Sequence, residues 1–453
     1  MYSKLRIGHV VLNRPLKDVF ISFKLNTENF LRQLSAYATV EVLSANSVTE
    51  SLPFSLAALK LDYLLLNLRD FKMRQLLLRE ERGLAINFIV VLDTVYPWIE
   101  ELSTMVVLLR EGDVIISPSE YGREQFFRIS RRKEMYVIPN CIDLRFIREC
   151  VNPKPVIKRR SIGFMGRLIP PKGVEAIIES LPHIRKELRE DLSLRVIGPL
   201  SGEGLSDDYQ SPYVRHLKRK VLKLGLRGKV EFSGMKTGAE KYRLLAECEL
   251  FVFPTFAKEE NFSVALLEAL GCGLPVIATD WAGNREIVRD ASNGYLLPIE
   301  SDPIGRQSID KNKLIATAVG MLSDRENLLL MRKRALESAK KYDFRVVMPR
   351  LIRLLTDKRL RSKIIYKSRW GYIRNKRLID FGKCFRKEIL FFLRLDPAAY
   401  ITFAHLYTGI RFSRKCPGRY AGRSRLSTIK ASRSLYARVK DDLFQYISGY
   451  GGV

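Results

Sequence analysis

Short apolar runs alternate with segments of helical spacing along the first third of the chain. Each run is four to eight residues long and is bounded by polar or turn-forming residues, which predicts buried β-strands. The runs are 5–12, 40–43, 63–66, 85–92, 114–117 and 136–140, and the helical segments between them are 28–37 and 72–82. Strands that alternate with helices predict a parallel sheet covered on both faces.

A second series of the same kind follows a charged, proline-punctuated stretch at 152–160, which we interpret as a linker. Its candidate strands are 161–165, 194–197, 230–232, 250–253 and 275–278, and its candidate helices are 174–187, 213–224, 240–247 and 263–270. The sequence therefore predicts an α/β protein with two Rossmann-like doubly wound domains, at 1–151 and 161–344, and an extension at 345–453. Ligands of such sheets bind at the carboxyl ends of the strands, so we expect a site in the cleft between the domains.

Two glutamates, Glu260 and Glu268, bracket the predicted start of a helix directly after the strand at 250–253. At ~1.5 Å per residue, Glu268 lies a turn and a half inside that helix. The unpaired amide groups of Phe262, Ser263 and Val264 lie between the two acids and suit an anion. This order fits a ligand with a hydroxylated ring, a diphosphate and a second hydroxylated ring. The alternative is two surface glutamates that flank a core helix.

A second candidate half of an anion site follows the strand at 161–165. Gly166 permits a close approach of the backbone to a ligand. Arg167 and Lys172 lie on the same strand-to-helix loop, and a guanidinium and an ammonium suit a diphosphate. Each cation alone is typical of a solvated loop, but two anion-binding halves in one domain favour a shared site. Residues 282–286 add a third strand-end loop, which contains Gly283.

These blocks resemble family 4 of the glycosyltransferases, also called glycosyl transferases group 1. The donor domain of that family carries a G-R-x-x-x-x-K-G loop, an E-x7-E element and a G-x-x-E-I-V loop, matched here at 166–173, 260–268 and 283–288. The likeness covers about 161–344 and is thinner in the first half, where 116–121 and 138–143 still match. It implies a GT-B fold, a terminal helix near 344–355 that crosses back to the first domain, and a metal-independent enzyme that retains anomeric configuration.

The resemblance also implies roles for individual residues. Arg167 and Lys172 are expected to neutralise the leaving diphosphate, Glu260 to orient the donor sugar, and Glu268 to hold the ribose. Gly166, Asn261, Phe262, Ser263 and Gly283 complete the expected donor-binding set. The implied function is transfer of a hexosyl group from a UDP- or GDP-sugar to a hydroxyl acceptor in glycan biosynthesis, with no cofactor or metal required.

Several positions depart from the family pattern. Asn261 and Ser263 replace the two glycines of E-G-F-G, and we expect their side chains to crowd the approach of the phosphate. Cys141 replaces the glycine of I-P-N-G. A histidine near the sugar is replaced at Leu92-Asp93, so Asp93 or His9 is a candidate for the acceptor side, although isolated polar residues near strands are more often structural.

Length and composition limit the classes of protein to which the chain can belong. A chain of 453 residues with 46% apolar residues is long enough for two cores and an extension. The four histidines and six cysteines are scattered, which favours reduced thiols over a disulfide framework or a metal site. The N-terminus shows no signal-peptide pattern, and no apolar run reaches the ~18 residues of a membrane span. We expect a cytoplasmic protein, peripheral on the membrane face.

Positive charge is concentrated at the C-terminal end. The formal charge of the chain is +29, and residues 351–453 contain 24 Lys and Arg against 6 Asp and Glu. Cations with aromatic residues across 358–440 suit an anionic membrane surface, a helical subdomain packed on the core, or a solvated tail. The acceptor is expected to be lipid-linked, a glycan or a protein. A nucleic-acid-binding protein and a sugar-nucleotide-binding protein without transfer activity are the alternatives, although no nucleic-acid-binding signature is present.

Overall fold

The computed structural model of the chain describes residues 5–12, 21–45, 59–67, 86–92, 113–124, 135–152, 160–201, 210–257, 260–301 and 307–357. The predicted helix at 72–82, most of the predicted linker and the whole extension beyond residue 357 lie outside these residues. Within them, two six-stranded sheets and one two-stranded sheet are formed.

The first sheet is entirely parallel and has the strand order β2-β1-β3-β4-β5-β6. Its strands are β1 (Arg6–Leu12), β2 (Thr39–Ala45), β3 (Tyr63–Asn67), β4 (Asn87–Val91), β5 (Val114–Ser117) and β6 (Tyr136–Val137). Helix α1 (Ile21–Leu34) overlaps the helix predicted at 28–37, but both its first and its last residue come earlier in the chain than predicted. The strand predicted at 136–140 pairs only as far as Val137, and Pro139 has no N–H with which to continue the ladder.

The second sheet is also parallel and has the strand order β12-β11-β10-β7-β8-β9. Its strands are β7 (Ser161–Met165), β8 (Ser193–Ile197), β9 (Val230–Phe232), β10 (Leu250–Phe253), β11 (Val276–Thr279) and β12 (Gly294–Leu297). The expected fold class, two doubly wound parallel sheets, is confirmed. The order reverses between β7 and β10, and a reversal of this kind opens a crevice at the carboxyl ends of the two strands.

Helices cover the second sheet and join it to the first. In chain order they are α2 (Leu144–Cys150), α3 (Val174–Leu188), α4 (Pro212–Lys223), α5 (Gly238–Ala246), α6 (Val264–Gly271), α7 (Asn284–Ile287), α8 (Lys311–Ser323), α9 (Arg325–Ala339) and α10 (Phe344–Thr356). Strands β13 (Ile299–Ser301) and β14 (Gln307–Ile309) form a small antiparallel pair. None of the described helices is both long and apolar enough to cross a membrane.

Helix α10 packs on the first sheet although it follows the second in the chain. Its apolar side chains Val347, Met348 and Leu351 are fully buried in the core that contains β1, β3 and β4. The Tyr63 hydroxyl on β3 donates to the carbonyl oxygen of Leu355 over 3.1 Å. The chain therefore crosses between the sheets twice, which holds their carboxyl ends on either side of one cleft.

Candidate functional site

Two strand-end loops flank the crevice between β7 and β10. Gly173 sets the backbone contact between these two loops, because an added Cβ would lie 2.2 Å from the Pro254 oxygen. Gly198, which follows β8, sets the contact with the loop after β7, because an added Cβ there would lie 2.0 Å from the Gly166 oxygen. Gly173 also has a φ of 74°. At Gly166 an added Cβ would make only ordinary contacts of 3.5 Å with Phe164 and Phe253. The sequence indicated a close backbone approach at Gly166. In the structure, Gly173 and Gly198 are the positions where close backbone packing requires a glycine.

The structure brings Lys172 and Glu260 together across this crevice. Lys172 ends the 3₁₀ turn Pro170–Lys172 after β7, and Glu260 follows β10. The ammonium and the carboxylate form an ion pair, and both side chains are largely buried. The Lys172 nitrogen also lies 5.3 Å from the centre of the Phe253 ring. Arg167 lies half-buried on the same loop as Lys172. Two of the three residues expected to be catalytic are thus in direct contact.

The N-terminus of α6 presents unpaired donors next to Glu260. Ser263 caps the helix by accepting a hydrogen bond from the Leu266 N–H over 3.4 Å. Within the described residues, the N–H groups of Phe262, Ser263 and Val264 have no acceptor. The Phe262 ring packs edge-on against Tyr342 with the ring centres 5.5 Å apart. The helix tip is therefore fixed by side chains while its amides stay available to an anion.

Asn261 connects this loop to the first sheet. Its amide nitrogen donates to the Leu92 carbonyl oxygen over 3.1 Å, and its amide oxygen accepts from the Ser119 hydroxyl. The Asn140 amide nitrogen donates to the Phe262 carbonyl oxygen over 2.8 Å. The expectation that Asn261 and Ser263 crowd the phosphate approach is wrong, because one side chain is buried against the first sheet and the other caps α6.

Gly283 and Glu286 hold the third loop against the same region. The Gly283 N–H donates to the Asn261 carbonyl oxygen over 2.9 Å, and an added Cβ would lie 2.3 Å from that oxygen. The Glu286 carboxylate accepts from the N–H groups of Glu120 and Tyr121, each over 3.0 Å, at the start of a helical turn. Sequence reasoning gave Glu286 no role. Its G-x-x-E motif marked the residue, but only the fold shows that it reaches the first domain.

Glu268 lies on the second turn of α6 in a small cavity of about 40 Å³. Its carboxylate accepts from the Tyr242 hydroxyl over 2.9 Å and pairs with the Lys241 ammonium over 2.6 Å. Burial, together with this carboxylate, raises the pKa of Tyr242. The cavity lining includes Glu268, Asn140 and Cys141 but neither Lys172 nor Glu260. Glu260 and Glu268 therefore lie in different surroundings, and Glu268 does not share this cavity with the Lys172–Glu260 pair.

The acceptor-side candidates have different surroundings. His9 is buried on β1, and its Nδ1 lies 3.2 Å from the Leu65 carbonyl oxygen of the neighbouring strand. Asp93 lies outside the described residues. Burial raises the pKa of the Cys141 thiol to about 12, so this side chain stays protonated near neutral pH. No group of three or more His, Cys, Asp or Glu side chains among the described residues is arranged to hold a metal ion.

Comparison with protein families matches residues 152–304 to the family described as glycosyl transferases group 1. The match contains the Gly166–Gly173 loop, the Glu260–Glu268 element and the loop with Gly283 and Glu286. The sequence motifs and the family match therefore select the same segment of the chain.

Two relatives match shorter parts of the chain. A sucrose synthase of Denitrovibrio acetiphilus is 32% identical over 177 residues, which cover 35% of this chain and 22% of the relative. A D-inositol 3-phosphate glycosyltransferase of Salinispora tropica is 31% identical over 139 residues, which cover 30% of this chain and 27% of the relative. The matched segment thus spans about a quarter of the length of these relatives.

Solved structures match a larger part of the chain. The Anabaena protein HepE, solved in complex with UDP and glucose, aligns with a TM-score of 0.57 at 18% sequence identity. The alignment covers 78% of this chain and 99% of HepE. At this identity the likeness concerns the fold, which extends over both sheets.

Proposed function

We propose that the protein transfers a hexosyl group from a nucleoside-diphosphate sugar to a hydroxyl acceptor, from the premise that residues 152–304 match the group 1 glycosyltransferases and that the two sheets have the GT-B arrangement. We assign the donor site to the crevice between β7 and β10. The observation that carries the proposal is the contact between Lys172 and Glu260 at this crevice, beside the unpaired amides of α6.

The ion pair suits a donor with a diphosphate next to a sugar. A bound diphosphate supplies new acceptors for the Lys172 ammonium, and the released Glu260 carboxylate can then accept from hydroxyls of the donor sugar. Arg167 on the same loop adds a second cation, and the amides of Phe262, Ser263 and Val264 add neutral donors. All of these groups stabilise the negative charge that grows on the leaving diphosphate.

The transfer itself exchanges one bond at the anomeric carbon for another. The bond from this carbon to the diphosphate oxygen breaks, and a bond to the acceptor oxygen forms on the same face of the sugar. The acceptor proton passes to the departing phosphate oxygen, so no metal is required by the proposal. Retention of configuration follows from the shared face.

The nucleoside end of the donor is assigned to Glu268. A carboxylate that already accepts from Tyr242 and Lys241 can accept in the same way from the two ribose hydroxyls. UDP is the preferred donor nucleotide in this proposal, and the support is that the HepE fold is known with UDP bound. GDP is the alternative nucleotide.

The acceptor is proposed to be lipid-linked, at a cytoplasmic membrane face. The support is the concentration of positive charge in residues 351–453, where 24 Lys and Arg stand against 6 Asp and Glu. A soluble glycan or a protein hydroxyl is the alternative. Nucleic acid is not proposed as a partner.

The donor assignment is tested with the full chain and with the variants Lys172→Met and Lys229→Met. Lys229 lies on the surface just before β9, where it pairs with Asp191. Lys229→Met is therefore the matched control, because it also removes one paired lysine. We expect UDP to raise the melting temperature of the wild type and of Lys229→Met. In Lys172→Met the shift shrinks, and the turnover of a labelled UDP-sugar falls by about 10²–10³-fold.

Equal UDP shifts in both variants would contradict the donor assignment. A UDP shift without any labelled product, across UDP- and GDP-sugars with hydroxyl and lipid acceptors, would indicate a sugar-nucleotide-binding protein instead of a transferase.

A further inference from the structure

A second cavity, of about 940 Å³, lies away from the donor crevice between α2 and α9. Cys272 and Gly273, at the C-terminal end of α6, form part of its lining. The amides assigned to the diphosphate lie at the N-terminal end of the same helix. Eight helical residues, or ~12 Å of axis, separate the two ends. The cavity is therefore distinct from the donor site.

The cavity is lined mainly by cations. Five basic side chains line it, Arg145, Arg148, Arg332, Lys333 and Arg345, with two acidic ones, Glu149 and Asp343. The acidic groups are already engaged, since Glu149 pairs with Arg145 over 2.9 Å and Asp343 pairs with Arg345 over 3.2 Å. Arg148 and Lys333 have no carboxylate within ion-pair distance among the described residues. The net charge of the lining suits an anion.

Arg332 gives the most specific indication of a ligand. It is 7% exposed, and its Nη1 donates to the carbonyl oxygens of Cys248 and Glu249 over 3.1 and 3.2 Å. Its Nη2 is buried and has no hydrogen-bond partner within the described ranges. A buried charged donor without an acceptor is unfavourable, and one explanation of such a group is a bound ion. Because Nη2 has almost no accessible surface, Arg332 adds uncompensated positive charge behind the cavity wall, and the exposed cations Arg148 and Lys333 are the groups that reach a ligand.

Apolar side chains border the cations on α9. Leu329 is 58% exposed and Leu336 is 36% exposed, and both line the cavity. Leu144 and Val151 add buried and half-buried apolar surface on the α2 side. Exposed leucines beside cations fit a ligand with a phosphate group at one end and hydrocarbon at the other. The extension beyond residue 357 is a poor occupant, because it carries the same sign of charge as the cavity.

We propose that this cavity binds the phosphate head group of an anionic membrane phospholipid. Arg148 and Lys333 hold the phosphate, the buried charge of Arg332 adds to the positive potential behind them, and Leu329 and Leu336 contact the acyl chains. Binding here places the second domain against the lipid surface without use of the donor crevice.

The experiment is calorimetric titration of the full chain with dihexanoyl phosphatidic acid below its micelle concentration. Parallel titrations use inorganic phosphate and dihexanoyl phosphatidylcholine. We expect phosphatidic acid to bind at least tenfold more tightly than either of the other two ligands. The double variant Arg148→Gln/Lys333→Gln should weaken phosphatidic acid by about tenfold, because two charged contacts to phosphate are lost.

Two further variants separate the parts of the site. Arg219→Gln/Lys223→Gln removes two exposed cations from α4 and should leave the affinity for phosphatidic acid unchanged. Leu329→Ser/Leu336→Ser should weaken the binding of phosphatidic acid but not the binding of inorganic phosphate. UDP binding, measured on each variant, confirms a folded donor domain and reports independently on the donor assignment.

Either of two results would overturn the proposal. If the Arg148/Lys333 and Arg219/Lys223 variants bind phosphatidic acid equally, the binding lies elsewhere. If inorganic phosphate binds as tightly as phosphatidic acid, the cavity takes a free phosphate ligand and not a lipid.

Discussion

At the scale of single residues, Glu268 shows how one carboxylate is prepared for a ligand. Its position eight residues after Glu260 follows from the sequence, and its place on the second turn of α6 follows from the helix. Its partners Lys241 and Tyr242 come from α5. Two donors from a neighbouring helix hold this buried carboxylate in one orientation.

Replacement of Glu268 by Gln tests this role. Gln keeps the shape of the Glu268 side chain but removes its negative charge. One of the two donors, Lys241 and Tyr242, then loses its anionic acceptor. We expect the dissociation constant for UDP to rise by at least about tenfold, since a hydrogen bond to a charged group is worth ~1.5–3 kcal/mol. The variant Tyr242→Phe, which keeps the Glu268 carboxylate, is the control and should change UDP affinity much less. The measurement is calorimetric titration with UDP.

At the scale of elements, the loop before α6 is shared between the two sheets. Asn261 reaches the end of β4 and the turn after β5, while Glu286 caps the helical turn that begins at Glu120. The donor loop is thus positioned by the first domain as well as by its own. The geometry of this loop therefore depends on how the two sheets are placed.

Replacement of Asn261 by Gly restores the residue type typical of the family and removes this contact. The hydrogen bonds of the Asn261 side-chain amide with Leu92 and Ser119 are lost. The Leu92 carbonyl and the Ser119 hydroxyl then have no partner from the loop. We expect a loss of about 1–3 kcal/mol of stability, because buried polar groups are left unsatisfied. Urea unfolding of Asn261→Gly and of the wild type measures the change, and an unchanged midpoint would contradict the coupling.

Helix α10 provides a second prediction at this scale. Leu351 is fully buried against the first sheet, whereas Val346 on the same helix is half exposed. Leu351→Ala should lower the free energy of unfolding by about 2–5 kcal/mol, because a cavity is left in a close-packed core. Val346→Ala is the control and should stay within about 0.5 kcal/mol. Equal effects would mean that α10 does not stabilise the first domain.

At the scale of the whole molecule, surface ion pairs affect the dependence of stability on pH. Burial raises the pKa of Glu175, but the hydrogen bonds from Lys220 and His216 outweigh this effect and lower it overall. At Glu179, burial likewise raises the carboxyl pKa, but the hydrogen bonds from Lys220 and Lys311 outweigh this effect and lower the pKa overall. A lowered carboxyl pKa in the folded state stabilises the fold above the ordinary carboxyl pKa, and this contribution is lost as pH falls through the lowered value.

Lys220→Met should therefore destabilise the protein near pH 7 by up to about 1 kcal/mol, since the pairs are partly solvated. The difference between variant and wild type should shrink as the pH falls from about 5 to 3. Thermal melts across this range make the comparison. Lys223→Met, an exposed lysine on the same helix, is the control, and a difference that does not change with pH would contradict the assignment.

The sequence by itself determined the elements of the second domain as far as β11 but not those that follow it. The strands β7, β9 and β10 and the helices α3, α4, α5 and α6 lie at or within two residues of the predicted positions. These elements have continuous apolar runs or clear helical spacing, and such local patterns survive in any tertiary context. That the loops carrying Lys172 and Glu260 meet was also expected, since loops at the carboxyl ends of neighbouring strands lie together, but their ion pair was not.

Only the tertiary structure decided which side chains of the loop regions hold the two sheets together. Asn261 and Ser263 follow Glu260 directly, yet one binds the first sheet and the other caps a helix. Glu286 and Arg332 carried no signal for their contacts, because their partners lie more than 80 residues away in sequence. Contacts of this kind depend on how two sheets and their crossing helices are placed, and local periodicity contains no information on that placement.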